Sequence, residues 1–177
     1  MKFLGTAFGF SLLTFSAWAS AHDFAELKTV PSVDLNRYTG VWHQIAFFPT
    51  RFQRKCTLDT TAEYGLRADG KISVRNECTK NESGKRVSIE GTARVVDPVS
   101  LAKLKVKFFW FAPAGDYWII DLGSNYEYAV VGTPDRDYLW VLSRTPTISQ
   151  NVYDQLVARA KAQQFPVEKL QITGKVQ

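Results

Sequence analysis

Between Gly40 and Arg144 the chain is cut into eight short runs, each ended by turn residues before it reaches the length of a stable helix. Residues 102–109 (AKLKVKFF) show the pattern best. Lys103, Lys105 and Lys107 fall on one face, and Leu104, Val106 and Phe108 on the other. A period of two is the mark of a strand with one wet and one dry side. The other runs are 40–48, 57–66, 71–78, 86–96, 116–122, 127–132 and 138–143. Asp69-Gly70 between the second and third is a hairpin signal, and Asp97-Pro98 ends the fourth. Strands at this density predict an antiparallel all-β domain. A sandwich and a closed barrel both satisfy the pattern. Closure removes exposed edges, and eight strands leave room for one small ligand.

Beyond Arg144 the period changes. Ile148, Val152, Leu156, Val157 and Ala160 mark one helical face, which predicts a helix over about residues 148–164. Thr147 is the expected cap, with Gln150 as its capping-box partner, and Pro166 stops the helix.

Residues 1–21 read as a leader and not as part of the fold. Lys2 precedes an acid-free apolar stretch, and Ala19-Ser20-Ala21 has the small-residue order of a cleavage site, with cleavage after Ala21 or Ala19. Gly5, Thr6, Gly9, Ser11, Thr14 and Ser16 interrupt the stretch, whereas a membrane anchor needs about 20 apolar residues. No Cys follows it to carry a lipid. A single domain over 22–177 is therefore expected to be exported, to the periplasm first, with outer-membrane association and secretion left open. In an exported chain, Cys56 and Cys78 favour one disulfide over a metal site. The net charge of +5 is modest and scattered, which argues against a nucleic-acid partner.

The residues that begin and end the strand region carry a resemblance. Gly40-Val41-Trp42 opens the first strand after the turn 35–38, and Arg144 closes the eighth, within the phrase 132–146 (GTPDRDYLWVLSRTP). Together with the strand count and the following helix, these features resemble the lipocalin family, in particular the bacterial lipocalins related to apolipoprotein D. The resemblance covers about residues 31–172. It implies an eight-stranded antiparallel up-and-down barrel over about 40–144, with the helix packed outside. Two places depart from the family pattern. Asn125 stands in the turn Ser124-Asn125-Tyr126 where relatives carry Asp, and Gln44 stands where many carry Glu. A neutral amide at Gln44 would accept an anionic or neutral ligand head more easily than a cationic one.

Strand direction assigns roles. Gly40, Trp42 and Arg144 meet at one end, where an indole can plug the barrel and a guanidinium can stack on it. Cys56 and Cys78 fall together at the opposite, open rim, the geometry a disulfide needs. Parity with Trp42 predicts a cavity lined by Gln44, Ala46, Phe48, Ala62, Tyr64, Val74, Asn76, Gly91, Ala93, Val106, Phe108, Tyr138 and Trp140. The small members leave volume, on the order of 300–1,000 Å³ for a ligand pocket. Arg51, Phe52, Arg54, Trp110 and Arg136 are the expected rim. An aromatic and basic mouth suits a lipid whose charged head stays outside, and suits peripheral contact with a membrane.

Catalysis has little support. His22 and His43 have no metal-ligand spacing, and no nucleophile motif or phosphate loop is present, so neither metal nor cofactor is expected. An enzyme on this barrel would have to use a titratable group in the lumen, from Tyr64, Tyr138 and Asp121. The favoured expectation is a carrier for a fatty acid, lysophospholipid or similar amphiphile, linked by the resemblance to envelope lipid maintenance. A rim-mediated interaction module is the third reading, and a homodimer is compatible with all three.

Overall fold

The computed structural model describes residues 24–177 with the exception of Phe52, so the expected leader and the rim aromatic Phe52 lie outside the described residues. A single helical turn, α1 (Leu35–Tyr38), is capped by Asp34, whose carboxylate accepts from the Asn36 and Arg37 amides. Eight strands follow: β1 (Gly40–Phe47), β2 (Leu58–Leu66), β3 (Ile72–Thr79), β4 (Arg86–Val95), β5 (Lys103–Lys107), β6 (Gly115–Leu122), β7 (Tyr128–Gly132) and β8 (Leu139–Ser143). Each pairs antiparallel with its neighbours in chain order, and β1 also pairs with β8, so the sheet closes into a barrel. Of the two architectures compatible with the alternation, the chain takes the one without free edges.

The C-terminal region tightens this closure. β9 (Thr147–Ile148) leads into α2 (Gln150–Ala162), and a 3₁₀ turn at Val167–Lys169 precedes β10 (Gln171–Ile172) and β11 (Lys175–Val176). β10 pairs with β1 at Ala46 and Phe47, past the point where β1 leaves β2. The α2 cap is Ser149, which accepts from the Val152 amide, and not Thr147. Thr147 pairs with Lys175 in the β9–β11 ladder, so its backbone is committed two residues before the helix begins.

The buried side chains form two clusters. One fills the closed half of the barrel: Trp42, Tyr64, Ile72, Val74, Ala93, Leu104, Ile119, Ala129, Val131 and Leu142, with Tyr38 from α1. The other lies outside the barrel, where Tyr153, Leu156 and Ala160 of α2 and Phe165 cover Ile45, Ile120, Val130, Leu139 and Val141. The outer faces of β1, β6, β7 and β8 are therefore as apolar as their inner faces, as expected where a sheet is covered on both sides.

Of three register slips among the described residues, two lie on these covered strands and exploit that; the third is on β2 against β3, between Leu58 and Thr61. The register of β1 against β8 slips between Gln44 and Ala46, and that of β6 against β7 slips between Ile119 and Asp121. An extra residue reverses the facing of everything beyond it. Ala46 and Phe48, expected in the cavity, instead join the outer cluster beneath α2. Phe47 takes the inward place, opposite Trp140. Asp121 likewise turns outward, to an ion pair with Arg159 of α2 at 2.8 Å.

Candidate functional site

The barrel has a sealed end and an open end. At the sealed end the Arg144 guanidinium lies 3.9 Å from the centre of the Trp42 ring. It donates to the carbonyls of Val41 (3.0 Å), Arg37 (2.6 Å) and Tyr126 (3.3 Å). The Trp42 indole donates to the Tyr38 carbonyl at 2.9 Å. Gly40 makes the approach: its φ is +88°, and a Cβ there would sit 3.4 Å from the guanidinium. The altered turn beside it carries no Asp, but Glu127 accepts from the Asn125 amide at 3.0 Å. Arg37 stacks on Tyr126, whose hydroxyl accepts from the Asp34 amide.

Above this plug runs a chain of three buried phenols. Tyr38 and Tyr117 are bonded at 2.8 Å, and Tyr117 donates to Tyr64 at 2.9 Å. Burial pushes all three phenols up: Tyr64 to about 12, Tyr38 and Tyr117 well above the usual tyrosine range. Each is a neutral hydroxyl at any physiological pH. A general base in the lumen would need the opposite shift. Tyr38 and Tyr117 escape notice in the sequence because one sits in a turn before the first strand and the other on the strand whose alternation the bulge interrupts.

The open half has a different texture. Ala62, Asn76 and Ile89 form one inward row across β2, β3 and β4, and Val74 and Gly91 form the next. Val106, Phe108 and Trp140 complete the wall around Ala93. A Cβ on Gly91 would come within 2.7 Å of the Phe108 ring, so glycine leaves the place that Phe108 fills. Val74 and Ala93 are buried, but Ala62, Asn76, Gly91, Val106, Phe108 and Trp140 are only partly so, and Ile89 is 37% exposed although it faces the axis. The lower lumen is thus packed solid, while the upper lumen admits solvent. Tyr138 stacks on Trp140 at 5.8 Å and stands at the mouth.

Gln44 faces inward but is engaged. Its amide nitrogen donates to Thr173 at 3.2 Å and its oxygen accepts from Gln53 at 3.0 Å. It pins the β1–β2 loop and the C-terminal tail, so both ends of its amide are engaged by the protein's own side chains. The rim expectation for Arg136 is also corrected. Arg136 is buried, donates to the carbonyls of Gln163 (3.0 Å), Ala25 (2.6 Å) and Pro134, and faces the rings of Phe24 and Phe165. It fastens the N-terminal segment and the end of α2 to the β7–β8 loop. Arg51, Arg54 and Trp110 are exposed at the open end. Phe111 stacks on Phe109 at 5.4 Å and meets Trp110 edge-on at 5.7 Å.

Cys56 and Cys78 form the disulfide at this rim, with Cα atoms 5.5 Å apart. Asn81 reinforces it, accepting from the Thr57 amide and donating to the Arg54 carbonyl. A recess of about 630 Å³ lies on the outer wall, between outward residues such as Glu63, Ser73, Arg75 and Thr92. It is not the lumen. At the floor of the lumen, among Tyr38, Tyr64, Leu104 and Tyr117, only about 10 Å³ is free, less than a comfortable site for one water.

Comparison with known proteins matches this geometry. A family described as lipocalin-like domain matches residues 33–175. The chain is 44% identical over 155 residues to temperature-induced lipocalin-1 of Arabidopsis thaliana, covering 84% of this chain and 82% of that protein. It is 43% identical over 144 residues to the outer membrane lipoprotein Blc of Escherichia coli, covering 81% and 80%. Apolipoprotein D of Macaca fascicularis is 34% identical over 148 residues, covering 79% and 76%. Among solved structures, insecticyanin from the tobacco hornworm Manduca sexta superposes with a TM-score of 0.67 at 22% identity, covering 85% of each chain.

Proposed function

The chain belongs to the lipocalin family, and from that premise we propose that it binds a hydrophobic or amphiphilic small molecule in the open half of the barrel and stores or carries it, without catalysis. The observation that carries this reading is a lumen sealed below and accessible above. Inward Ala62, Ile89, Gly91, Val106, Phe108 and Trp140 stay partly exposed over a floor with almost no free volume. An apolar wall that water reaches gains by taking up an apolar guest. Burying about ten methylenes yields ~8 kcal/mol gross at ~0.8 kcal/mol each, before association losses. Micromolar affinity is the expected result.

A fatty acid or lysophospholipid fits this wall best. The apolar chain enters beside Trp140, and the charged head stays at the mouth near the exposed Arg51 and Arg54. The relatives' names, an outer membrane lipoprotein and an apolipoprotein, support an exported protein that handles envelope lipid. The periplasm is the proposed compartment. Trp110 at 88% and Phe111 at 70% exposure support contact of the open end with a membrane from which lipid is drawn.

The test is extraction and mass spectrometry of whatever co-purifies, followed by titration of the delipidated protein with oleate while Trp fluorescence is read. Co-purified acyl lipid and saturable micromolar quenching are expected. No extractable lipid and no response to oleate would overturn the reading.

A further inference from the structure

Among the described residues three buried side-chain polar atoms have no hydrogen-bond partner: Trp118 Nε1, against the outer cluster, and Thr60 Oγ1 and Asn76 Oδ1 in the upper part of the barrel. Asn76 faces the lumen, since it pairs with Ala62 of the inner face, two residues above the Val74 row. Thr61 shows which way Thr60 points. The Thr61 hydroxyl meets Arg86 outside the barrel, and Glu77, its cross-strand partner, binds Arg86 on the same outer side. Thr60 lies in a bulge: the β2–β3 register slips between Leu58 and Thr61, with Asp59 at a φ of +47°, so that Asp59 and Thr60 together oppose Cys78, which shares its face with Asn76 and Val74. Next to the outward Thr61, Thr60 therefore turns to the Cys78 side, nearer the mouth than Asn76. A buried polar atom without a partner costs about 1–3 kcal/mol, and in a native protein it calls for an explanation. Here the Thr60 and Asn76 orphans belong to the inner wall of the open half and are shielded from water by their neighbours, so a ligand group meets them by displacing those neighbours.

We propose that Thr60 and Asn76 form a polar notch that recognises a hydroxyl group on the enclosed part of an otherwise apolar ligand. The inference rests on the carrier reading and narrows it. A hydroxyl both donates and accepts, so it satisfies the Thr60 hydroxyl and either end of the Asn76 amide. An ammonium would be buried against neutral groups only, at a large desolvation cost, and a pure hydrocarbon would leave both atoms orphaned. Tyr64 stands diagonally below Asn76 on the same inner face and extends the polar strip toward the floor. The hydroxyl could belong to a glycerol backbone or to an acyl chain, and the two sources are separable by experiment.

Dissociation constants are measured by Trp fluorescence for two matched pairs, 1-monolaurin against methyl laurate and 12-hydroxystearate against stearate. Wild type is compared with the near-isosteric double variant T60V/N76L. Wild type is expected to prefer the hydroxylated member of at least one pair by about tenfold, the worth of one well-placed buried hydrogen bond. The pair that discriminates identifies the source of the hydroxyl. In T60V/N76L the preference for the hydroxylated member should fall within twofold. Because the variant removes orphaned atoms, its ligand-free melting temperature should not fall, which also guards against misfolding. Equal affinities within both pairs in wild type, or a preference that survives in the variant, would overturn the notch and leave the carrier reading standing. If no member of either pair binds wild type, the carrier reading fails and the notch with it.

Discussion

Arg144 acts through geometry that no other side chain reproduces. Its planar fork reaches three carbonyls while its face covers Trp42. Replacing it with Ala removes the stack and leaves those carbonyls to find water at a sealed end. The expected loss is about 3 kcal/mol, and Lys should restore less than half of it, because an ammonium neither stacks nor forks. Urea unfolding of R144A and R144K measures both. The tyrosine chain makes a second residue-scale prediction, in pH. The phenols ionise near pH 10 in the unfolded chain and higher in the folded one, Tyr64 at about 12. Protons are held more tightly by the folded state, so the stabilisation is complete below pH 10 and is lost as pH rises from there through 12. The urea midpoint should stay level to pH 9.5 and fall steeply above it, and Y64F should make the fall shallower. At this scale the sequence was legible where chemistry is written in residue identity. Trp42 with Arg144, and Cys56 with Cys78, follow from residue type and strand direction. It hides what draws Gln44 and Arg136 away from the ligand roles expected of them, because their partners Gln53, Thr173, Gln163 and Ala25 lie far away or in unpatterned loops.

Among the elements, β5 and β1 show why some inner faces can be read and others cannot. The Lys residues of β5 meet water and betray its parity at once. The outer face of β1 beyond Gln44 is covered by α2, so Ile45, Ala46, Phe47 and Phe48 are all buried and no polar residue marks the inner or outer side. A bulge in such a run leaves no trace in the hydropathy. That is why parity with Trp42 points Ala46 and Phe48 into the cavity in place of Phe47. The helix itself was plain from its period, but its start was displaced by two residues because the β9–β11 ladder competes for Thr147. The disulfide offers the test at this scale. It joins residues 22 apart and holds the end of the β1–β2 loop to the end of β3. In the chain-entropy account a loop of this size contributes about 3 kcal/mol. C56S/C78S should lose roughly that in urea unfolding. Amide exchange should quicken around residues 53–58 and 79–81, where Asn81 braces the loop, while the Trp42 and Tyr64 amides stay protected. Uniform acceleration across the barrel would show that the bridge supports the whole fold and not the mouth alone.

The molecule as a whole differs from end to end. The sealed end is closed by indole, guanidinium and three phenols, so traffic must pass the other end. There the β1–β2 and β3–β4 loops carry Arg51, Arg54, Lys55, Lys80 and Lys85 against the single carboxylate of Glu82. The β5–β6 loop projects Phe109, Trp110 and Phe111, exposed at 49%, 88% and 70%. Exposed aromatics beside an excess of cations are the features that draw a surface to anionic lipid and seat it at the headgroup level. If the mouth docks on a membrane to collect its ligand, substituting the tip should affect the rate of transfer and not the affinity of the pocket. W110S/F111S should melt as wild type does, since both side chains stand largely in water, and should bind dissolved oleate with unchanged affinity. Its uptake of fluorescent fatty acid from vesicles of phosphatidylethanolamine and phosphatidylglycerol should slow about tenfold. Raising salt should slow the wild type as well, because the cationic contribution is screened within about 10 Å at 0.1 M. Unchanged transfer in the variant would mean that ligand reaches the lumen through solution, and the exposed aromatic tip would then need another partner.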